Sequence, residues 1–399
     1  MQLLIITCGT EGDARPLAAL GHALANAGHG VHLLADAATL DTAHALGLPA
    51  TALAGDIRAT LARRHGMRDI ERNLLRLVWQ HSPQWLQQAL EAGHGCDAII
   101  VSGLTAFVGL SAAEALGVPA IGAMLIPITP TAAFPAPLLP LRPPRAFNAA
   151  SHRLSNQLTW QLMRRTTNRA RARAGMAART RLWEGHPMLY GISPALLAQP
   201  ADWPGNAHLT GQWLPPSAGW TPPLDLLEFL AAGEPPVYVG FGSMAGFEPG
   251  RIEAALGEGL GGRRVLFNPG WSGIDPTRLP PSVRTIGSVP HDWLLPRCAL
   301  AVHHGGSGTS HSACRAGVPS VVVPFAGDQP FWAGRLHADG VAPPPLPAKA
   351  ITARRLAAAI TFASGDAVKA RAAALGERMR GEDGCSRAVA LVERYVART

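Results

Sequence analysis

Residues 302–310 read VHHGGSGTS, and they follow the apolar run LAV. A helix-like segment, SHSACRAG, and a second apolar strand, SVVVPF, come next. His303, His304, Gly305, Gly306, Ser307, Gly308 and Thr309 therefore fall where a strand becomes a helix. In open α/β sheets, ligands bind outside the carboxyl ends of strands. A following helix aims free N–H groups and its positive dipole end at that place, which suits an anion. Glycines let the backbone approach without Cβ clashes, and Ser307 and Thr309 add hydroxyl donors. The alternative is a tight strand-to-helix turn with a capping serine. The paired histidines favour a phosphate or diphosphate cradle.

Three other stretches have similar placement. Residues 9–16, GTEGDARP, follow the first apolar strand and put Asp13 at the edge of a helix. Asp13 is either a helix cap or a general base. A helix N-terminus stabilises its carboxylate and weakens it as a base, so position alone leaves both open. Residues 238–244, YVGFGSM, lie between a strand and a helix. Gly240, Gly242 and Ala245 match a dinucleotide fingerprint loosely, but the next strand, VLF, ends in Asn268 and Pro269 and not in an acid. Gly242 and Ser243 are read more simply as a second backbone wall against a diphosphate. Residues 327–332, GDQPFW, place Asp328 and Gln329 after the next strand, where a carboxylate and an amide suit sugar hydroxyls. Capping by Asp328 is the plain alternative. There is no D-x-D pair, H-E-x-x-H, Walker lysine motif or G-x-S-x-G elbow, so no metal site is expected.

Elements must position these turns. The chain has 399 residues, 47% of them hydrophobic, enough for two domains. One half alternates QLLIIT, VHLLA, CDAIIVSG and PAIGAM with helix-like segments, among them a long one at 57–92. The other alternates PVYVGF, RRVLFN, VRTIGS, ALAVHH and SVVVPF with helices expected near 249–260, 307–316, 329–338 and 352–380. This alternation predicts an α/β protein of two doubly wound parallel sheets. The seam is set at 213–234, a proline-rich linker holding the short helix LDLLEFL. The domains are read as 1–212 and 235–380, with a helix at 381–399 that packs back on the first domain. A second irregular stretch, 126–145, is apolar and proline-rich and suits a loop that shapes a pocket.

Five scattered cysteines without a C-x-x-C pair point to reduced thiols, and MQLLIITCGTEGD reads as a first strand instead of a signal peptide. A cytoplasmic location is expected, and apolar runs are too short to span a membrane. The net charge is +8. Residues 142–181 hold ten arginines and no Asp or Glu, which more than accounts for it. Anionic lipid and anionic small molecules fit this charge. No nucleic-acid reader motif accompanies it.

Residues 289–332, VPHDWLLPRCALAVHHGGSGTSHSACRAGVPSVVVPFAGDQPFW, resemble the donor-binding signature of UDP-sugar glycosyltransferases of the GT-B fold (glycosyltransferase family 1). The likeness is strongest to the sterol 3β-glucosyltransferase branch and its bacterial relatives. PHDWL, HHGGSGT, RAGVP and GDQPFW occur there in this order. Similarity continues in PPVYVGFGSM, PTAAFPAPLLPL and ISPALLAQPADWP, and GTEGDARP is similar to the family's GTRGDVQP. Nearly the whole chain is covered.

The resemblance implies two Rossmann-like domains facing each other across a cleft, the first for the acceptor and the second for the nucleotide sugar. His304 and Gly306, Ser307, Gly308 and Thr309 would hold the diphosphate, with Gly242 and Ser243 opposite. Val289 would meet the uracil near His291. Asp328 and Gln329 would bind glucose hydroxyls, and Asp13 matches the family's acidic base. Glu11 and Arg15 depart from the pattern, as do Ser288 and Ser312 when set against the plant small-molecule branch. No second acid that orients a base is evident.

The implied activity is an inverting, metal-independent O-glycosyltransferase with a UDP-sugar as co-substrate and no cofactor. Its acceptor would be a lipophilic alcohol (sterol-like, terpenoid, polyketide or hydroxy-lipid), as in natural product glycosylation. Trp79, Phe134 and Trp160 are the expected acceptor contacts, alongside the loop 126–141. The rivals are an NAD(P)-dependent oxidoreductase and a non-catalytic GT-B partner protein. The segment 147–183 reads as a basic helix with Leu154, Leu158, Leu162 and Met163 at near-helical spacing. Such a helix could place the protein peripherally on the inner membrane face.

Overall fold

A computed structural model describes every residue except 63–66, 140–142, 217–219, 245, 246, 248 and 399, and the side chains of 62 and 67–71 are also outside the description. Ala245 of the loose fingerprint, Leu141 of the expected pocket loop and Arg142 of the arginine run lie outside the described residues.

The chain divides into two units. The first comprises residues 1–194, 198–215 and 383–399, and the second comprises 195–197 and 216–382. The first holds a seven-stranded parallel sheet. Its strands are β1 (Gln2–Ile6), β2 (Gly30–Asp36), β3 (Ala50–Leu53), β4 (Ala98–Val101), β5 (Ala120–Met124), β6 (Met188–Tyr190) and β7 (Ala207–Leu209). They lie in the order β3-β2-β1-β4-β5-β6-β7. Every pairing is parallel; Leu3, for example, faces Val31 on one side and Ala98 on the other. Strands buried on both faces read as continuous apolar runs, and Leu3, Leu4, Ile5 and Ile6 of β1 are all buried.

The second unit holds β8 (Val237–Gly240), β9 (Val265–Asn268), β10 (Val283–Thr285), β11 (Leu300–His303) and β12 (Ser320–Val322). Their order is β10-β9-β8-β11-β12, again all parallel. In each sheet the chain runs outward in one direction and then returns to the centre to build the other side. The reversal lies between β1 and β4 in the first unit and between β8 and β11 in the second. Ligand sites form outside the strand ends at such switch points.

Helices cover both sheets. Helix Glu11–Asn26 follows β1 and buries Leu17, Leu20 and Leu24 against it. The terminal helix Gly384–Val396 adds Ala388, Val389 and Val392 to the same core. His29 at 2.9 Å from Glu393, and His208 at 2.7 Å from Tyr395, fasten it further. Gly384 is needed for the close approach, because a Cβ there would lie 2.5 Å from the Gln212 carbonyl oxygen.

Three strands escape the sequence reading. β3, β6 and β7 read ATAL, MLY and AHL, without the valine or isoleucine that each of the other nine strands carries and that marks a strand in sequence. The expected helix at 352–380 is two helices, Ala353–Ala363 and Asp366–Arg380, broken at Ser364 and Gly365. Within the stretch 213–234, helix Leu224–Ala231 belongs to the second unit and buries Leu226 there.

Candidate functional site

In the first unit the switch point carries Asp13. It is the third residue of its helix, and Thr10 precedes the first turn. The Thr10 N–H donates to Asp13 Oδ2 at 2.7 Å, and the Thr10 hydroxyl donates to the same atom at 3.2 Å. The Asp13 N–H in turn donates to the Thr10 carbonyl at 2.9 Å. Asp13 Oδ1 has no hydrogen-bond partner among the described residues. Gly9 makes the arrangement possible, since a Cβ there would lie 2.3 Å from Oδ2. Gly103, after β4, closes against this turn with φ +58; a Cβ on it would lie 2.6 Å from the Cys8 carbonyl oxygen.

Burial raises the Asp13 pKa above the ordinary carboxylate value, and the two Thr10 hydrogen bonds oppose the rise without cancelling it. Position at a helix N-terminus alone weakens a base, so burial is the effect that wins here. Thr10 is the partner the sequence reading did not name. The T-x-x-D spacing is that of a capping box and could have revealed it.

In the second unit the switch point carries the paired histidines. His303 ends β11 and is fully buried. Its Nδ1 accepts the Gly305 N–H at 3.1 Å, which fixes the turn where Gly305 takes φ +89. Burial lowers the His303 pKa to about 3, so the ring is neutral. His304 is half-buried and lies between two glycines. A Cβ on Gly242 would lie 2.9 Å from its Cε1, and one on Gly306 would lie 2.4 Å from its Nε2. The residues expected to wall the diphosphate are thus brought together. Burial, helped by neighbouring His291 and opposed by the Gly240 backbone, lowers the His304 pKa to about 4. His304 can donate a hydrogen bond at neutral pH without carrying charge.

Helix Ser307–Ala316 starts directly after Gly306, and no side chain caps it. Gly308 and Thr309 are half-buried in its first turn, and Ser307 is buried. Four N–H groups at a helix start lack intrahelical partners, so this end is suited to an anion. Gly242 is exposed with φ +58 and Ser243 is half-buried. The Gly242 carbonyl accepts the Trp271 N–H at 2.9 Å, which backs this wall with the turn after β9.

His291 starts the helix His291–Leu294, with Nε2 3.2 Å from the Tyr238 hydroxyl. Val289 is buried beside Tyr238 and Leu294. Asp328 precedes helix Gln329–Ala338, and its Oδ2 accepts the Trp332 indole N–H at 2.8 Å. Gln329 is buried, and its Oε1 accepts N–H bonds from Phe325 at 2.7 Å and Ala326 at 3.2 Å. Its amide therefore braces the loop after β12, with Nε2 facing the Met244 sulfur at 3.0 Å. With one amide proton given to that sulfur, a single donor proton is left to offer a sugar.

The expected acceptor residues are dispersed. Trp160 is 1% exposed, packed edge-on against Phe107 and Trp183, and donates to the Thr180 carbonyl. Its ring presents no surface to a ligand. Phe134 is half-buried against His152. Trp79 is exposed, under the Arg169 guanidinium. The loop after β5 is braced: Asn148 Nδ2 donates to the Ala132 carbonyl, Asn156 Nδ2 to that of Ile128, and Asp202 accepts from Thr131 and Ala132.

The dinucleotide reading fails at β9. Asn268 accepts the Gly270 N–H with Oδ1 at 2.9 Å and donates to the Gly287 carbonyl with Nδ2 at 3.1 Å. No acid stands where a ribose would require one. Among the described residues, no group of His, Cys, Asp and Glu is arranged to hold a metal ion.

Residues 266–390 match the family model for the erythromycin biosynthesis protein CIII-like C-terminal domain. The chain is 34% identical over 99% of its length to O-mycaminosyltylonolide 6-deoxyallosyltransferase of Streptomyces fradiae, covering 97% of that protein. It is 32% identical over 98% of its length to a sterol 3-beta-glucosyltransferase of Arabidopsis thaliana, but spans only 64% of that protein. The crystal structure of glycosyltransferase VinC in complex with dTDP superposes with a TM-score of 0.69 at 21% identity, with both chains fully covered. With two switch-point turns on two parallel sheets and relatives that match nearly its whole length, the chain belongs to the GT-B glycosyltransferase family that includes the sterol 3-beta-glucosyltransferases and bacterial macrolide glycosyltransferases.

Proposed function

We propose that the protein is an inverting O-glycosyltransferase that moves a hexose, glucose in the first instance, from UDP to a hydroxyl of a lipophilic acceptor. The observation that carries this reading is the uncapped start of helix Ser307–Ala316 beside a neutral, glycine-bracketed His304. That arrangement suits a leaving diphosphate: N–H groups and an imidazole donor meet its charge, and no metal is required.

The base is Asp13. Its raised pKa makes it a stronger base than an ordinary carboxylate, and Thr10 holds Oδ2 alone. The acceptor O–H proton passes to Asp13 as the acceptor oxygen forms a bond to C1 of the sugar. The bond from C1 to the diphosphate oxygen breaks in the same displacement, so the configuration at C1 inverts. UDP leaves with the electron pair, and the helix start and His304 receive its charge. Asp328 and the remaining Gln329 amide proton hold sugar hydroxyls, while Val289 and His291 flank the nucleobase. Trp79 and Phe134 remain candidates for acceptor contact.

The test incubates the full chain with UDP-glucose or dTDP-glucose and a panel of lipophilic alcohols, with EDTA present. Acceptor-dependent nucleoside diphosphate release, with a glycoside of inverted anomeric configuration, is expected in EDTA. Release that depends on added magnesium or manganese would overturn the metal-independent part. Tight nucleotide binding without transfer to any acceptor would favour the non-catalytic partner.

A further inference from the structure

Helix Asn148–Arg173 is amphipathic in the inverted sense. The face turned into the first unit carries Asn148, Ser151, His152, Ser155, Thr166 and Thr167, together with Trp160. Several of these polar groups bond locally: Ser151 Oγ donates to the Asn148 carbonyl at 2.6 Å and accepts the Ala136 N–H at 2.9 Å, and Thr167 Oγ1 donates to the Met163 carbonyl at 3.0 Å. The opposite face shows Leu154, Leu158 and Leu162, which are 55, 53 and 56% exposed. Spacing of four residues lines them up along one stripe. Phe147, 59% exposed, lies seven residues before Leu154 and extends the stripe at its start. A helix that buries its hydroxyls and displays its leucines has an apolar face to cover.

The arginines separate into two groups. Arg171 is buried and bidentate on Glu114, at 2.7 and 3.2 Å, and Arg179 reaches the same carboxylate. Arg169 stacks on Trp79 at 4.8 Å and donates to its carbonyl at 2.8 Å. These three hold the fold. Arg153, Arg164, Arg165 and Arg173 make no ion pair with any acid among the described residues. Arg153 and Arg164 flank the leucine stripe along one side, and Arg165 continues it. No Asp or Glu occurs in the helix sequence to offset them.

We propose that this face is a docking surface for an anionic lipid bilayer, with Leu154, Leu158 and Leu162 in the acyl boundary and Arg153, Arg164 and Arg165 at the headgroups. The charge decides the occupant. Long arginine side chains keep their heads in the polar layer while their stems follow the apolar surface, and an in-plane helix binds through apolar area together with anionic lipid charge. The inference is independent of the donor and acceptor chemistry proposed above.

The experiment uses the full chain and vesicles of phosphatidylcholine alone or with phosphatidylglycerol. Co-sedimentation with the mixed vesicles is expected at low salt, at least about tenfold weaker with pure phosphatidylcholine, and falling as salt shortens the screening length from about 10 Å at 0.1 M to about 3 Å at 1 M. Replacing Leu154, Leu158 and Leu162 with Gln should reduce binding at least about tenfold, with the circular dichroism spectrum and Tm unchanged. The variant R153Q/R164Q/R165Q should lose the preference for anionic vesicles. Equal binding by wild type and the leucine variant, or equal binding to both lipid mixtures, overturns the proposal. So does a wild-type dimer that ignores vesicles and becomes monomeric in the leucine variant, because the face would then be covered by a second copy.

Discussion

The turn after β1 and the turn after β11 have the same plan but differ in their chemistry. Each follows a central parallel strand at a switch point, each depends on glycine for close approach, and each places a titratable side chain at a helix start. Burial disfavours charge in both, and so drives the two groups in opposite directions. It raises the Asp13 pKa and lowers that of His304 to about 4. One becomes a better proton acceptor, and the other becomes a neutral donor. The helix starts differ as well. Thr10 and Asp13 cap the first helix between themselves, whereas Gly306 leaves the start of Ser307–Ala316 without a side-chain cap. A helix start met by its own side chains has less to offer an anion than one without a side-chain cap. The proposed function divides the work accordingly, with proton transfer at the first turn and diphosphate binding at the second.

The largest expected effect tests the first turn. Asp13→Asn keeps the shape and the Thr10 contact but removes the base, and kcat should fall by about 10²–10⁴. Nucleotide-sugar affinity, read by calorimetry, should not change. If the variant retains most of its kcat, Asp13 is only a cap and the two turns do not divide the work.

Next comes the cradle. His304→Ala should weaken nucleotide binding by about ten- to more than a hundredfold, the value of a hydrogen bond to a charged group at about 1.5–3 kcal/mol. Gly306→Ala should act in the same direction while leaving the imidazole in the chain, because its Cβ would force the ring aside. Unchanged affinity in both variants would move the role to His303 or to the backbone alone.

The smallest effects lie in the pH profiles, and they sharpen the contrast in sign. Hydrogen bonds to a carboxylate favour its charged form. Thr10→Val removes one, so the acid limb of kcat should move to higher pH. His304 should already be neutral, so UDP-glucose affinity should stay flat from about pH 5.5 to pH 8. Affinity that rises as pH falls through the ordinary histidine range would mean that an imidazolium does the binding.

Legibility in the sequence followed length and locality. The nine apolar runs read as strands are strands in the structure, while β3, β6 and β7 (ATAL, MLY and AHL) lack the valine or isoleucine that marks the others. The strand-to-helix turn at 303–309 was readable because its residues are contiguous, and Gly242 was readable because a strand end precedes it. Gln329 was harder. Its position at a strand end is evident, but the two backbone N–H groups that occupy its oxygen come from the loop's path. The tryptophans were least readable, because Trp160 in the packing and Trp79 at the surface have nearly the same neighbours in sequence, LTWQ and LVWQ. The arginine run looks uniform in sequence, yet Arg171 is held by Glu114 and Arg169 by Trp79.

The sequence alone determined the alternation of strand and helix, the two glycine-rich turns and the candidate groups on them. These depend on neighbours within a few residues, where backbone conformation and side-chain type act directly. Only the tertiary structure decided the direction of each pKa shift, the pairing of Gly242 with His304, and which face of helix Asn148–Arg173 displays its leucines. Each of those depends on what lies across the fold from a residue, and burial by distant segments is not written in the order of the chain.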